Sequence, residues 1–182
     1  MSAQTIDTEV SRLAVNGLNS PLVYFKEDDE GRAEVYKDRI RIGISDKTKG
    51  EANFTSIGHN KANILISGFN SQNEEEWLAI FQLMTLEGKV VSALTIPMTD
   101  SYDELPLCIR MFDIANTTGA LVMRCARYFE LLAIKGKKLI RANKIDFDSD
   151  AFNCGAIVKQ GGDTVTVVVA NDIKISVVTI RL

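Results

Sequence analysis

Reactive side chains are few in this sequence, and none falls into a catalytic pattern. A serine or cysteine triad needs a histidine as its base, and the sole histidine is His59, in the polar segment 56–61. The three cysteines, Cys108, Cys125 and Cys154, show no C-x-x-C spacing, and we expect free thiols rather than a disulfide. No G-x-S-x-G motif and no glycine-rich phosphate loop occurs. We therefore expect a non-enzymatic protein without metal or cofactor, in which His59 is a solvated loop residue.

Acidic clusters give no ion site either. Residues 27–30 suit a solvated turn, and residues 74–76 suit the first turn of a helix, where carboxylates oppose the helix dipole. Asp146, Asp148 and Asp150 alternate as in a calcium loop, but the glycine and the distal glutamate of such a loop are missing. We predict that these carboxylates are structural or solvated.

The strongest chemical signal is a mixture of basic and aromatic residues in the first third of the chain. Such mixtures hold single-stranded nucleic acid, because Lys and Arg contact phosphates and aromatic rings stack on bases. The alternative is that these cations only solvate the polar faces of strands, which the net charge of −3 favours. The candidate nucleic-acid-binding residues are Tyr36, Lys37, Arg39, Arg41, Lys47, Lys49 and Lys61.

A second basic segment, residues 135–144, contains no acidic residue. It suits nucleic acid or, as a peripheral membrane contact, the headgroups of anionic lipids. No apolar run approaches the roughly 18 residues of a membrane span, and the N-terminus lacks the layout of a signal peptide. We expect no transmembrane segment and a cytoplasmic protein, or one of the host cytoplasm or nucleus if it is viral. The candidate basic surface comprises Lys135, Lys137, Lys138, Arg141 and Lys144.

The elements that would position these residues include three predicted helices. Residues 73–88 have acidic residues in the first turn, an apolar stripe at helical spacing and a terminal glycine. Residues 103–136 form a longer helical stretch, with Asp103 as the cap and Pro106 in the first turn. Four poor helix formers at 116–119 divide it in two. We interpret these helices as the platform on which sheets pack.

Strand patterns occupy both ends of the chain. The run 165–169 is apolar on both faces, which predicts a strand covered on both sides by the helices and a second sheet, or by another subunit. Residues 46–59 read as a loop or a weak hairpin. The predicted strands are 22–25, 33–44, 64–66, 89–98 and 138–147, and a C-terminal meander of 152–159, 164–170 and 173–181.

These patterns predict an α+β fold, with mainly antiparallel or barrel-like sheets packed against three helices. At 182 residues we expect a loosely ordered arm at 1–20 and a single domain at 21–182. The expected function is self-association as a homo-oligomeric structural or interaction protein, a description that fits a viral or phage assembly or matrix component. The alternative is a single-stranded nucleic-acid-binding protein with an OB-like β core.

Overall fold

The chain is built from β-strands alone in the part that the structure describes. This computed structural model contains 15 strands and no helix within those residues, so the predicted α+β class with three helices is wrong. Each sheet is antiparallel, as expected. The described residues are 12–14, 20–46, 51–71, 76–98, 106–114, 117–124, 128–146, 154–170 and 175–181.

The strands form four sheets, and in each sheet the spatial order of the strands follows the chain. The first sheet contains β1 Arg12–Ala14, β2 Val23–Glu27, β3 Ala33–Lys37 and β4 Ile40–Ile44. The second contains β5 Glu51–His59, β6 Asn63–Ser71, β7 Trp77–Thr85 and β8 Val90–Met98. The third contains β9 Pro106–Ile114, β10 Thr117–Arg124, β11 Tyr128–Lys135 and β12 Lys138–Asp146, and the fourth contains β13 Cys154–Gly161, β14 Thr164–Ala170 and β15 Ile175–Arg181.

Three apolar clusters lie between consecutive sheets and hold them in a stack. The second and third sheets therefore each pack against a neighbouring sheet on both faces, whereas the first and fourth each pack against one sheet among the described residues. The first strands of consecutive sheets, β1, β5, β9 and β13, also lie side by side. Such serial meanders differ from the five-stranded Greek-key barrel of an OB-fold.

The segment 73–88, predicted as a helix, contains strand β7. Ala79, Phe81 and Leu83 of β7 belong to the cluster between the second and third sheets, while Met84 belongs to the cluster between the first and second. Both faces are thus apolar, because β7 is a central strand between two other sheets. A run that is apolar on every side contains a helical stripe by chance, which is why the interpretation failed.

The stretch 103–136, predicted as two helices, contains strands β9, β10 and β11. On β9, Ile109 and Met111 face the second sheet, while Phe112 and Ile114 face the fourth. Residues 116–119, predicted as a helix break, precede or begin β10. Gly119 has no side chain, so β10 can pass close to the ring of Phe112. Apolar side chains on these strands therefore repeat with a period of two on each face, and not with the helical period.

Several strand predictions are confirmed, with some boundaries corrected. β8 and β12 match the predicted 89–98 and 138–147, and the C-terminal meander is present as β13, β14 and β15. The predicted loop at 46–59 is wrong, because β5 occupies most of it, and the strand predicted at 64–66 is the longer β6. Within the predicted N-terminal arm, β1 pairs with β2; residues 1–11 and 15–19 lie outside the described part.

The first two sheets meet at two glycines whose backbones nearly touch. A Cβ on Gly43 of β4 would lie 2.2 Å from the carbonyl oxygen of Gly88, in the β7–β8 turn. A Cβ on Gly88 would lie 2.0 Å from the carbonyl oxygen of Ile42, and Gly88 has a φ of +85°. Any side chain here would push the two sheets apart.

We expect the substitution Gly43→Ala to lower the free energy of unfolding by about 2 kcal/mol or more, because a methyl group there meets backbone rather than a movable side chain. Gly43 has no positive φ, so the loss would report the sheet contact and not backbone strain. Urea unfolding followed by circular dichroism measures it. Gly161→Ala is the matched control, since a Cβ there meets nothing within 4 Å. Equal stability of the two variants would contradict this account of the contact.

Candidate interaction surfaces

The outer face of the first sheet carries a connected polar and aromatic cluster, which we call the first-sheet outer face: Tyr24, Lys26, Glu34, Tyr36 and Arg41. The rings of Tyr24 and Tyr36 stack with centroids 5.1 Å apart and planes 2° apart. Lys26 Nζ lies 5.3 Å from the centroid of the Tyr36 ring. Arg41 Nε lies 3.0 Å from Glu34 Oε1. Aromatic stacking, a cation–π contact and an ion pair therefore join neighbouring strands.

Tyr36, one of the candidate nucleic-acid-binding residues, is held tightly in this cluster. Its hydroxyl donates to Glu34 Oε2 at 3.0 Å. Burial raises the pKa of Tyr36, and the hydrogen bond to Glu34 acts in the same direction. The structure places Tyr36 and Arg41 opposite each other on β3 and β4, although the sequence predicted a single strand at 33–44. Both contact Glu34, a residue the sequence did not single out.

The other candidates of this set do not share that face. Lys37 ends β3, and Arg39 lies in the β3–β4 turn, where Asp38 and Arg39 both have positive φ, 49° and 73°. Two such residues are typical of a type I′ hairpin turn. Lys61 is exposed in the β5–β6 turn of the second sheet. The remaining two candidates, Lys47 and Lys49, lie outside the described part.

The candidate basic surface divides into an exposed tip and a partnered strand. Lys135, Lys137 and Lys138 are exposed around Gly136, whose φ of +62° forms the β11–β12 turn. Lys144, further along β12, lies 3.2 Å from a carboxylate oxygen of Asp146, and its Nζ is 4.1 Å from the centroid of the Tyr128 ring. Only the tip presents lysines as a compact exposed group.

Arg141 pairs with Glu130, whose carboxylate is buried. The side chain of Glu130 is 0% exposed, and Arg141 donates to it from Nε at 2.6 Å and from Nη2 at 3.3 Å. Glu130 lies on β11, between apolar neighbours, and Arg141 reaches it from the edge strand β12. A buried carboxylate needs a charged, hydrogen-bonding partner, and Arg141 provides both. Glu130 was not predicted as a structural residue, although an acidic residue inside an apolar run is a signal of one.

His59 is buried and only 1% exposed, so the prediction of a solvated loop residue is wrong. It ends β5, where Asn60 turns the chain by accepting hydrogen bonds from the amides of Ala62 and Asn63. Asn60 also donates to Asp113 Oδ1 of the third sheet at 3.1 Å. Burial lowers the pKa of His59, although the Asn60 carbonyl and the Asp38 carboxylate act in the opposite direction.

On its outer face the fourth sheet carries a group of aliphatic and threonine residues, which we define as the fourth-sheet outer face: Thr166, Val168, Ile175, Val177 and Thr179. Lys159 of β13 is in register with Thr166. Ile175 is 72% exposed and Val177 is 67% exposed. Val168 lies opposite Val177, and Thr166 opposite Thr179 with the hydroxyl oxygens 3.3 Å apart. The opposite side of the same strands is buried against the third sheet. The predicted two-sided cover of β14 is thus present on one side within the chain.

Cys108 is half-buried on β9, while the side chains of the other two cysteines lie outside the described part. Among the described residues, no group of three or more His, Cys, Asp or Glu side chains is arranged to hold a metal ion. None of the described segments forms a helix of the length and apolar character needed to cross a membrane.

We expect Arg141→Gln to destabilise the protein by about 3 kcal/mol, because it leaves the carboxylate of Glu130 buried without its charged partner. Glu130→Gln should cost less, about 1 kcal/mol, since the half-exposed guanidinium can turn to water. Urea unfolding of the two variants measures the difference. A larger loss for Glu130→Gln than for Arg141→Gln would refute this asymmetry.

We expect stability to fall below about pH 6.5 because of His59. Its pKa is lowered in the folded protein, so the unfolded chain binds more protons in that range, and stability decreases as the pH falls. Urea midpoints at about pH 7.5 and about pH 5 should therefore differ more for the wild type than for His59→Gln. Equal pH dependence of the two proteins would show that His59 is not the responsible group.

Comparisons with known proteins identify no family for this chain. No protein-family model matches it, and no curated protein matches it. A solved structure titled as a subtype N11 neuraminidase-like protein of A/flat-faced bat/Peru/033/2010 (H18N11) is similar over 93% of this chain, at 8% sequence identity and a TM-score of 0.45. This chain spans 56% of that chain. A similarity at this level assigns neither a family nor a function.

Proposed function

We propose that this protein is a non-enzymatic structural or interaction protein that works by self-association as a homo-oligomer. The observation that carries the proposal is the fourth-sheet outer face, where Ile175 and Val177 are exposed on an aliphatic sheet surface. Long apolar surfaces on an edge sheet invite association, and soluble proteins usually cover or charge them. A second polypeptide is the natural cover for a face of this kind.

The chemistry elsewhere supports a structural role. The sole histidine is buried at the end of β5, and the buried Glu130 is paired with Arg141. These are the groups best suited to proton transfer, and each has a packing or pairing role in the stack. The exposed lysines of the β11–β12 tip suit contacts with a partner surface, including anionic lipid headgroups.

The alternative function is binding of single-stranded nucleic acid. The exposed Lys135, Lys137 and Lys138 favour it, because lysines clustered at one tip can contact successive phosphates. The first-sheet outer face favours it less, since Tyr36 already stacks on Tyr24 and Arg41 already pairs with Glu34. Self-association therefore stands first.

We expect the purified chain to have a mass above that of a monomer in size-exclusion chromatography with light scattering at micromolar concentration. Because apolar association is not screened by salt, the mass should be unchanged between low and high ionic strength. A short single-stranded oligonucleotide should not shift the elution.

A monomeric mass at every concentration would contradict the self-association proposal. A shift on adding oligonucleotide that disappears as salt rises would instead place nucleic-acid binding first. Lys137→Glu is the variant for that arm, because it reverses a charge at the exposed tip without touching the fourth sheet.

A further inference from the structure

We propose that four turns of the first three sheets form one surface that binds an anionic lipid bilayer, with lysines on the headgroups and exposed isoleucines in the headgroup layer. We call it the basic turn surface and define it by the turns β3–β4, β5–β6, β7–β8 and β11–β12. It is separate from the fourth-sheet outer face, so the inference goes beyond the proposed self-association and does not depend on it.

Contacts between the second and third sheets place their turns on the same side of the molecule. In an antiparallel meander, alternate turns lie at the same end of their own sheet. Asn60, in the β5–β6 turn, donates to Asp113 near the end of β9. The amide of Leu139, at the start of β12, donates to the hydroxyl of Ser92 near the start of β8. The turns β5–β6, β7–β8 and β11–β12 are therefore neighbours.

The first sheet is aligned with the other two. Asp38, in the β3–β4 turn, lies near enough to His59 at the end of β5 for its charge to act on the imidazole. At the opposite ends of the strands, a Cβ on Gly31 of the β2–β3 turn would lie 3.4 Å from the carbonyl oxygen of Ala52, near the start of β5. The β3–β4 turn thus joins the other three.

Exposed charges on the basic turn surface are mostly positive. Six cations against three carboxylates are exposed in, beside or hydrogen-bonded to the four turns, which gives a net charge of +3. Two of the carboxylates, Asp38 and Asp113, accept hydrogen bonds that hold turns in place. The cations are Arg39, Lys61, Lys89, Lys135, Lys137 and Lys138, and the carboxylates are Asp38, Glu87 and Asp113.

The opposite ends of the strands are acidic, which fixes the orientation of binding. Strands of nine residues separate the two sides by about 30 Å, whereas the Debye length at physiological ionic strength is about 8 Å. Each side therefore acts on a partner by its own charge, and the net charge of −3 does not decide. The exposed carboxylates there are Glu27, Asp29, Glu30, Glu76 and Asp146.

Two exposed isoleucines favour a bilayer over a nucleic acid as the partner. Ile40 directly follows the β3–β4 turn and is 70% exposed, and Ile140, two residues after Lys138, is 39% exposed. Apolar side chains beside lysines add burial at the acyl boundary to attraction by the headgroups. The four turns contain no Phe, Tyr or Trp, so the bases of a single strand find no ring to stack on.

Vesicle sedimentation of the full chain tests this proposal. The protein should sediment with vesicles of phosphatidylserine and phosphatidylcholine in equal parts, stay in solution with phosphatidylcholine alone, and be released as salt rises. Lys61→Gln, Lys89→Gln and Lys137→Gln should each weaken binding about fivefold, the usual effect of one lysine at an anionic surface. Lys144→Gln is the matched control, because it removes the same charge near the acidic ends, and it should bind like the wild type.

Ile40→Gln distinguishes lipid from other polyanions, because it changes no charge. It should weaken binding to the anionic vesicles several-fold and leave retention on a heparin column unchanged. Circular dichroism verifies that each variant is folded. The mass measured by light scattering should be the same for all of them, since none of the substitutions touches the fourth sheet.

Three results would overturn the proposal. The first is a wild type that stays in solution with anionic vesicles at low salt. The second is an equal loss of binding for Lys144→Gln, which would make total charge the cause and not the basic turn surface. The third is tighter binding to a single-stranded oligonucleotide than to the vesicles, with Ile40→Gln unchanged on both, which would assign this surface to nucleic acid.

Discussion

The constraint on which the rest of the structure depends is burial of the inner sheets on both faces. The central strands of a sheet between two other sheets are mostly apolar on both faces, because both sides of the pleat meet a hydrophobic cluster. β7 satisfies this with residues of both parities, and β9 does the same in the third sheet. The few polar side chains admitted there need dedicated partners.

Gln82 and Thr55 show how polar groups are used in this stack. The amide of Gln82, buried on β7, accepts from the backbone N–H of Asp46 and donates to the carbonyl of Asp46 after β4. Thr55 lies at a β-bulge of β5, and its carbonyl accepts from Arg12 Nε while its hydroxyl donates to the carbonyl of Pro106. A bulge frees backbone groups from the ladder, and here the Thr55 carbonyl binds β1 while the Thr55 hydroxyl binds β9, so the first strands of three sheets are joined.

How far the sequence predicts this fold depends on whether a strand has a polar face. β12 and the C-terminal hairpin at Gly162 were predicted because polar residues and turn glycines delimit them. β7 was not, because leucine, alanine, glutamine and methionine favour a helix and the tertiary environment overrides that propensity. Among the candidate site residues, Tyr36 and Arg41 meet at Glu34 because 33–44, predicted as one strand, is the hairpin β3–β4. The register between two strands is not visible in one sequence.

The two outer sheets of the stack differ chemically: the first has a polar and aromatic outer face, and the fourth has exposed aliphatic residues. At one end, the first-sheet outer face is joined by its own tyrosine stack and by the Glu34–Arg41 ion pair. At the other end, the aliphatic residues Ile175 and Val177 alternate along β15 and are exposed. Each inner sheet covers its predecessor, and the chain has no fifth sheet in its described part. Apolar surface stabilises the folded state only when it leaves water, so the fourth sheet contributes fully to stability only when its outer face is occupied.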